Sequence, residues 1–183
     1  MHYDLRHADI RLKWLVTCLL ATFGVAYAFG AWMVALYSGF GPDSVAATFA
    51  ESEMPMEMPP DTTMVLEHAM SLSDFSEEAP HRVDRDLLVQ DTHVHVPMYG
   101  VIAAALSCVV LGLTLPRWAG LALITLVFAA PWLDFAGMWL TKLASPRFAI
   151  LTVAGGWSMG AGYTLIAALA VWQMWKPQKG LVT

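Results

Sequence analysis

The sequence predicts an all-α membrane protein: a four-transmembrane-helix up-down bundle with a large acidic loop, holding a short amphipathic helix, between the first and second spans. Three observations predict this. Of 183 residues, 57% are hydrophobic and 14% charged, and mean hydropathy is +0.55. The apolar residues stand in long unbroken blocks rather than at amphipathic spacing, and a helix needs about 20 of them to cross hydrocarbon. The acidic residues are confined: 12 of 15 fall between Asp43 and Asp91.

Residues 1–13 form a short N-terminal segment and the first span is placed at 14–38, of which 14–37 hold no charge. Ala26-Tyr27-Ala28 resembles a signal-peptidase site. A signal-peptide apolar region is only about 7–15 residues, however, and this run continues well past Ala28, so the segment is expected to stay as an anchor. Residues 39–92 are the loop. The second span is placed at 93–115, the third at 118–141, the fourth at 147–175, and 176–183 form the tail. Such spans must be helical, because lipid offers the backbone no hydrogen-bond partner. The links after spans two and three are short, which makes spans two, three and four antiparallel neighbours.

Basic residues predict the orientation. Arg6, Arg11 and Lys13 precede span one, Arg117 lies in the turn between spans two and three, and Lys176 and Lys179 follow span four. With four spans these positions share one side, and the positive-inside rule makes it the cytoplasm. The loop is then periplasmic. The net charge of -5 describes that loop rather than the whole surface, and gives no ground for nucleic-acid binding. Cys18 and Cys108 both fall inside spans, and there is no C-x-x-C-H for covalent haem.

The loop opens with the chain-turning run Ser38-Gly39-Phe40-Gly41-Pro42. A short helix is expected over 43–50, capped by Asp43 or Ser44. The prolines of 51–60 exclude a helix there. A second helix, capped by Thr62 or Thr63 and reaching about residue 75, presents Val65, Leu66, Ala69, Met70 and Leu72 on one face and is expected to lie along the membrane surface. Met54, Met56 and Met58 alternate with Pro and Glu. Thioethers are soft ligands suited to Cu(I); the plainer alternative is that these methionines pack on the adjacent helix.

Polar groups gather where span two is entered from outside, in Asp91-Thr92-His93-Val94-His95-Val96-Pro97. Asp91 or Thr92 is expected to cap the helix, with Pro97 in its first turn. On a helix His93 and His95 lie about 200° apart, so one faces the bundle and the other does not. Asp134 is the one acidic residue inside a span. A buried carboxylate in a bilayer is costly, so it is expected to be paired or functional. Asp134 and His95 fall at similar depth on adjacent helices, so a hydrogen bond between them is expected, with Asp134 fixing the tautomer of a ligating histidine. His68 can complete the set. Three readings remain open: a cofactor or metal site, structural polar packing, and a proton or ion path. Two histidines from different helices suit b-type haem; histidines with Asp suit copper, zinc or non-haem iron. Trp132, Trp139, Trp157, Tyr99 and Phe148 share the outer level and Trp14, Trp118, Trp172 and Trp175 the inner, as interfacial belts do. Gly156 and Gly160 form a small-xxx-small pair for close helix approach.

Several of these pieces look familiar together. Thr92-His93-Val94-His95 opening a span, Leu133-Asp134, Trp139-Leu140-Thr141, Ser145-Pro146-Arg147-Phe148-Ala149 and a glycine-rich last span resemble a family of small bacterial four-span membrane proteins that often carry the label "elongation factor-1 alpha". The chain has no G-x-x-x-x-G-K-S/T motif, so translation is set aside. The resemblance covers about 93–163 and the general plan of span one. It implies the fold and singles out His93, His95 and Asp134, without supplying a mechanism.

The expectation is therefore an inner-membrane protein, both termini cytoplasmic, with a histidine-centred site at its periplasmic face. Haem b and electron transfer come first, with His93, His95 and His68 as ligands and Asp134 as orienting acid; a metal ion on His93, His95 and Asp134 is the variant. Partners would be the lipid bilayer, other membrane subunits or a periplasmic redox protein. The alternatives are a non-catalytic accessory subunit with no cofactor, favoured by the absence of a nucleophile–base pair, and copper handling through Met54, Met56 and Met58 with His93 and His95.

Overall fold

Each long apolar block forms one continuous helix. The computed structural model describes residues 4–50 and 83–176. In chain order these form α1 (Ile10–Tyr37), α2 (Pro42–Phe49), α3 (Arg85–Leu111), α4 (Arg117–Leu143) and α5 (Ala149–Trp175), with single 3-10 turns at Leu5–His7 and Pro146–Phe148. Among the described residues there is no strand, and α1, α3, α4 and α5 are long and apolar enough to cross a membrane. The protein is an all-α four-span bundle.

Two details differ from expectation. Asp84, not Asp91 or Thr92, sits at the N-cap of α3, so the helix runs two turns before the entry expected at 93. Asp86 in its first turn favours that extension, since a carboxylate there meets the positive end of the helix dipole. Pro97 consequently lies inside α3 rather than at its start. It removes one backbone bond, which membrane helices tolerate where neighbours re-satisfy the freed carbonyl. The first loop helix forms where expected, but with Gly41 at the N-cap and Pro42 at the first helical position. The expected helix reaching residue 75, together with His68, Met54, Met56 and Met58, lies outside the described residues.

α4 packs between α3 and α5, and α5 also meets both α1 and α3. The tightest seam joins α4 to α5. Leu123, Val127, Ala130, Asp134, Gly137 and Thr141 are buried on α4, and Thr152, Gly155, Met159, Gly162 and Ile166 on α5. Both stripes advance by alternating threes and fours, the spacing of antiparallel helices at a shallow crossing. Glycine sets the approach: a Cβ on Gly137 would strike the backbone and hydroxyl of Thr152, and one on Gly155 would lie 2.5 Å from the Asp134 nitrogen. The expected pair Gly156 and Gly160 does not make this seam. Gly156 faces open space, and Gly160 receives the Tyr27 hydroxyl from α1. α1 buries only Val16 and Leu20. It leans on α5 through rings, with Trp14 and Trp175 at 5.9 Å and Tyr27 and Tyr163 at 6.2 Å.

The two ends of the bundle differ in chemistry. Toward the chain termini the core is apolar, including Leu5, Val110, Leu113, Ile166, Ala170 and Met174. Leu5 is fully buried and its N–H donates to the Gly112 carbonyl at 2.8 Å. Lys13 Nζ donates to the carbonyls of Arg6 (3.0 Å) and Met174 (3.1 Å), closing that end. The Arg6 N–H, 2.9 Å from Asp4 Oδ1, caps the first turn and holds the Asp4 carboxyl below its ordinary value. Among the described residues the buried polar ones, Thr48, Asp134, Thr141, Lys142 and Thr152, fall toward the loop end.

Candidate functional site at the loop end

Asp134 sits at the α4–α5 crossing and is 7% exposed. The Thr152 hydroxyl, from α5, donates to the Asp134 backbone carbonyl at 3.3 Å, while the Thr141 hydroxyl donates to the Gly137 carbonyl at 2.7 Å. These threonines satisfy helix carbonyls on the seam, so a buried polar ladder runs along it at little cost.

The expected His95–Asp134 bond does not form. His95 Nδ1 lies 2.8 Å from Asp91 Oδ1 and 2.9 Å from the Asp91 carbonyl, one helical turn back. Continuing α3 upstream to Arg85 makes this possible, because it places Asp91 and His95 four residues apart on one helix face. The carboxylate beside His95 is therefore that of Asp91, not Asp134. Asp134 stays close enough to interact electrostatically with both Asp91 and Tyr99. The Tyr99 ring packs against His95 at 6.0 Å and edge-on against Phe135 at 5.8 Å. His93 is exposed on the opposite side of α3. His93, His95 and Asp134 thus do not converge. Among the described residues no group of three or more His, Cys, Asp or Glu is placed to hold a metal ion.

A roof covers this end. α2 buries Val45 and Thr48. The Val83 N–H donates to the Thr48 carbonyl at 3.0 Å, and Lys142 Nζ donates to the Val83 carbonyl at 3.0 Å. Val83 is thereby tied to α2 on one side and to α4 on the other. Lys142 is 9% exposed. A lysine next to a span end reads as an interfacial charge, so nothing in the sequence marked it as buried. Below the roof, Trp139 Nε1 on α4 donates to Thr92 Oγ1 on α3 at 3.0 Å, and that hydroxyl donates on to the Leu88 carbonyl at 2.7 Å. One further polar atom was not foreseen: the Tyr163 hydroxyl on α5 is buried without a hydrogen-bond partner.

Comparison with known families decides the relationship. A family model described as a transmembrane helical domain, Aq_1264_TM, matches residues 39–181. The chain belongs to this family. The match takes in α2, α3, α4 and α5. No curated protein and no solved structure matches the chain. Membership in the Aq_1264_TM family agrees with the helical spans and with contact with lipid; the family's description names no activity.

Proposed function

We propose that this member of the Aq_1264_TM family is a subunit of an electron-transfer complex in the bacterial inner membrane and holds a transition-metal centre at its loop end. Arg6, Arg11, Lys13, Arg117 and Lys176 all stand at the opposite end, and the positive-inside rule makes this support for cytoplasmic termini and a periplasmic loop. The observation that carries the metal reading is the His95–Asp91 contact at 2.8 Å. A carboxylate on Nδ1 fixes the tautomer and turns Nε2 into the ligand nitrogen, as outer-shell acids do in metal sites. His68 and Met54, Met56 and Met58 are the further donors proposed, in the chain between Thr48 and Val83, which the roof joins. Copper suits a mixed imidazole and thioether set.

Haem b fits less well. A haem between spans takes an axial ligand from each of two facing helices, and α1, α4 and α5 contain no histidine. Elemental analysis and a visible spectrum of detergent-purified protein test the proposal. Bound copper or another transition metal is expected, with most of it lost in His95→Ala and affinity about 10–100-fold weaker in Asp91→Ala. A Soret band would return the site to haem b. Neither metal nor Soret band, or full metal in His95→Ala, would overturn the reading.

A second reading, a non-catalytic accessory subunit, is favoured by α1. A helix that buries only Val16 and Leu20 within its own bundle has most of its surface free for lipid or another subunit. Isolation as a stable monomer carrying a cofactor would count against it.

A further inference from the structure

We propose that the end of the bundle nearest the chain termini is a docking surface for anionic phospholipid head groups, with Arg11, Arg117 and Lys176 drawing the lipid phosphate above a ring of exposed tryptophans. The surface lies at the opposite end from the proposed metal centre, so either proposal can fail alone.

Charge carries the first step. Among the described residues this end holds Arg6, Arg11, Lys13, Arg117 and Lys176 against Asp4 and Asp9. The protein itself occupies part of that set. Arg6 pairs with Asp4 at 3.4 Å, the Arg11 N–H donates to Asp9 Oδ1 at 3.1 Å, and Lys13 Nζ is bonded to the Arg6 and Met174 carbonyls. Arg11, Arg117 and Lys176 remain, all exposed, and none forms an ion pair with a described carboxylate. The Lys176 ammonium instead lies 4.5 Å from the centroid of the Trp172 ring, which positions the charge without neutralising it. The loop end has the reverse balance: Asp43, Asp84, Asp86 and Asp91 stand against Arg85, Lys142 and Arg147, and Lys142 is buried.

Depth and apolar surface select the occupant. Trp14 and Trp118 are exposed near the starts of α1 and α4, and Trp172 and Trp175 at the end of α5. Such rings sit at head-group level. Arg11 lies about 4.5 Å beyond Trp14 along its helix, at roughly 1.5 Å per residue, and Arg117 and Lys176 directly precede Trp118 and follow Trp175. The charges thus stand just outside the rings, where lipid phosphates lie. The aromatic corner between α1 and α5 is built rather than loose: Trp14 meets Trp175 edge-on at 5.9 Å, and Trp175 Nε1 donates to Thr17 Oγ1 at 3.3 Å. An acidic soluble protein would meet the charges but leave Ile10, Trp14, Leu15 and Trp118 in water. Acyl chains cover those side chains. A zwitterionic lipid brings its own ammonium, which opposes the attraction, whereas phosphatidylglycerol carries an uncompensated phosphate.

The test titrates the full-length protein in detergent with dioleoyl-phosphatidylglycerol or dioleoyl-phosphatidylcholine and counts bound lipids by native mass spectrometry. Phosphatidylglycerol is expected to bind at least about tenfold more tightly. Arg11→Gln, Arg117→Gln and Lys176→Gln are each expected to reduce that preference about fivefold, and Lys176→Arg to keep it. Arg147→Gln, at the loop end, is expected to leave it unchanged. Equal affinity for the two lipids, or an unchanged preference in all three terminal-end glutamine variants, would overturn the proposal. So would a loss in Arg147→Gln as large as in Lys176→Gln, which would make the preference a matter of net charge and not of this surface.

Discussion

Gly155→Ala is expected to cost about 3 kcal/mol, the upper end for forcing atoms into a packed core, and Gly155→Leu to separate α4 from α5. The reason is the identity of what the new atom meets. A Cβ at Gly155 would lie 2.5 Å from the backbone nitrogen of Asp134, 2.7 Å from its Cα and 2.8 Å from its Cβ. Backbone cannot swing aside as a side-chain end can, so the helices must part. The Thr152–Asp134 bond at 3.3 Å would go with them. Gly156→Ala, one position on, meets nothing within 4 Å and is expected to melt like the wild type or slightly higher, since alanine is the better helix former. Thermal melts of the two variants in one detergent make the comparison. Equal melting points would mean that the α4–α5 register is not the one described.

That contrast also marks how far the sequence carried. Uncharged blocks of more than 20 residues leave a backbone in lipid no alternative to a helix, so the four spans were legible. Which face of a span meets which neighbour was not. Gly156 and Gly160 have the spacing of a packing motif, yet one faces open space and the other meets α1, while Gly137 and Gly155 bring the backbones together. A span hydrophobic on all sides carries no moment to say which side turns inward. Asp134 stood out as the only acid in a span, but its surroundings depend on register, and Thr152 and Gly155 meet it where a histidine was expected. The Asp91–His95 contact was within reach of a sequence argument. It needed only α3 to start upstream, and the charged run 84–91 read as loop. Tyr163 gave no signal at all, because a tyrosine in a span is ordinary until its hydroxyl is found without a partner.

Lys142→Met is expected to loosen the roof without unfolding the bundle. The substitution keeps most of the side-chain volume and removes the Nζ bond to the Val83 carbonyl at 3.0 Å. A hydrogen bond from a charged donor is worth about 1.5–3 kcal/mol, but a cation only 9% exposed also carries a desolvation cost that methionine does not. The two effects oppose each other globally, so the melting point is expected to move little. Locally they do not cancel, because Val83 loses its tie to α4 and keeps only the Thr48 carbonyl on α2. Hydrogen exchange at the Val83 amide should therefore quicken about tenfold to a hundredfold, and Lys142→Arg should keep most of the protection. The consequence reaches the proposed metal site. Val83 lies two turns upstream of Asp91, at the end of the segment that would supply His68 and the three methionines. If those residues complete the coordination of His95, Lys142→Met must weaken metal binding although it touches no ligand, because Val83, which follows them in the chain, has lost its tie to α4. Full metal affinity beside a freely exchanging Val83 would show that the centre does not draw on the loop.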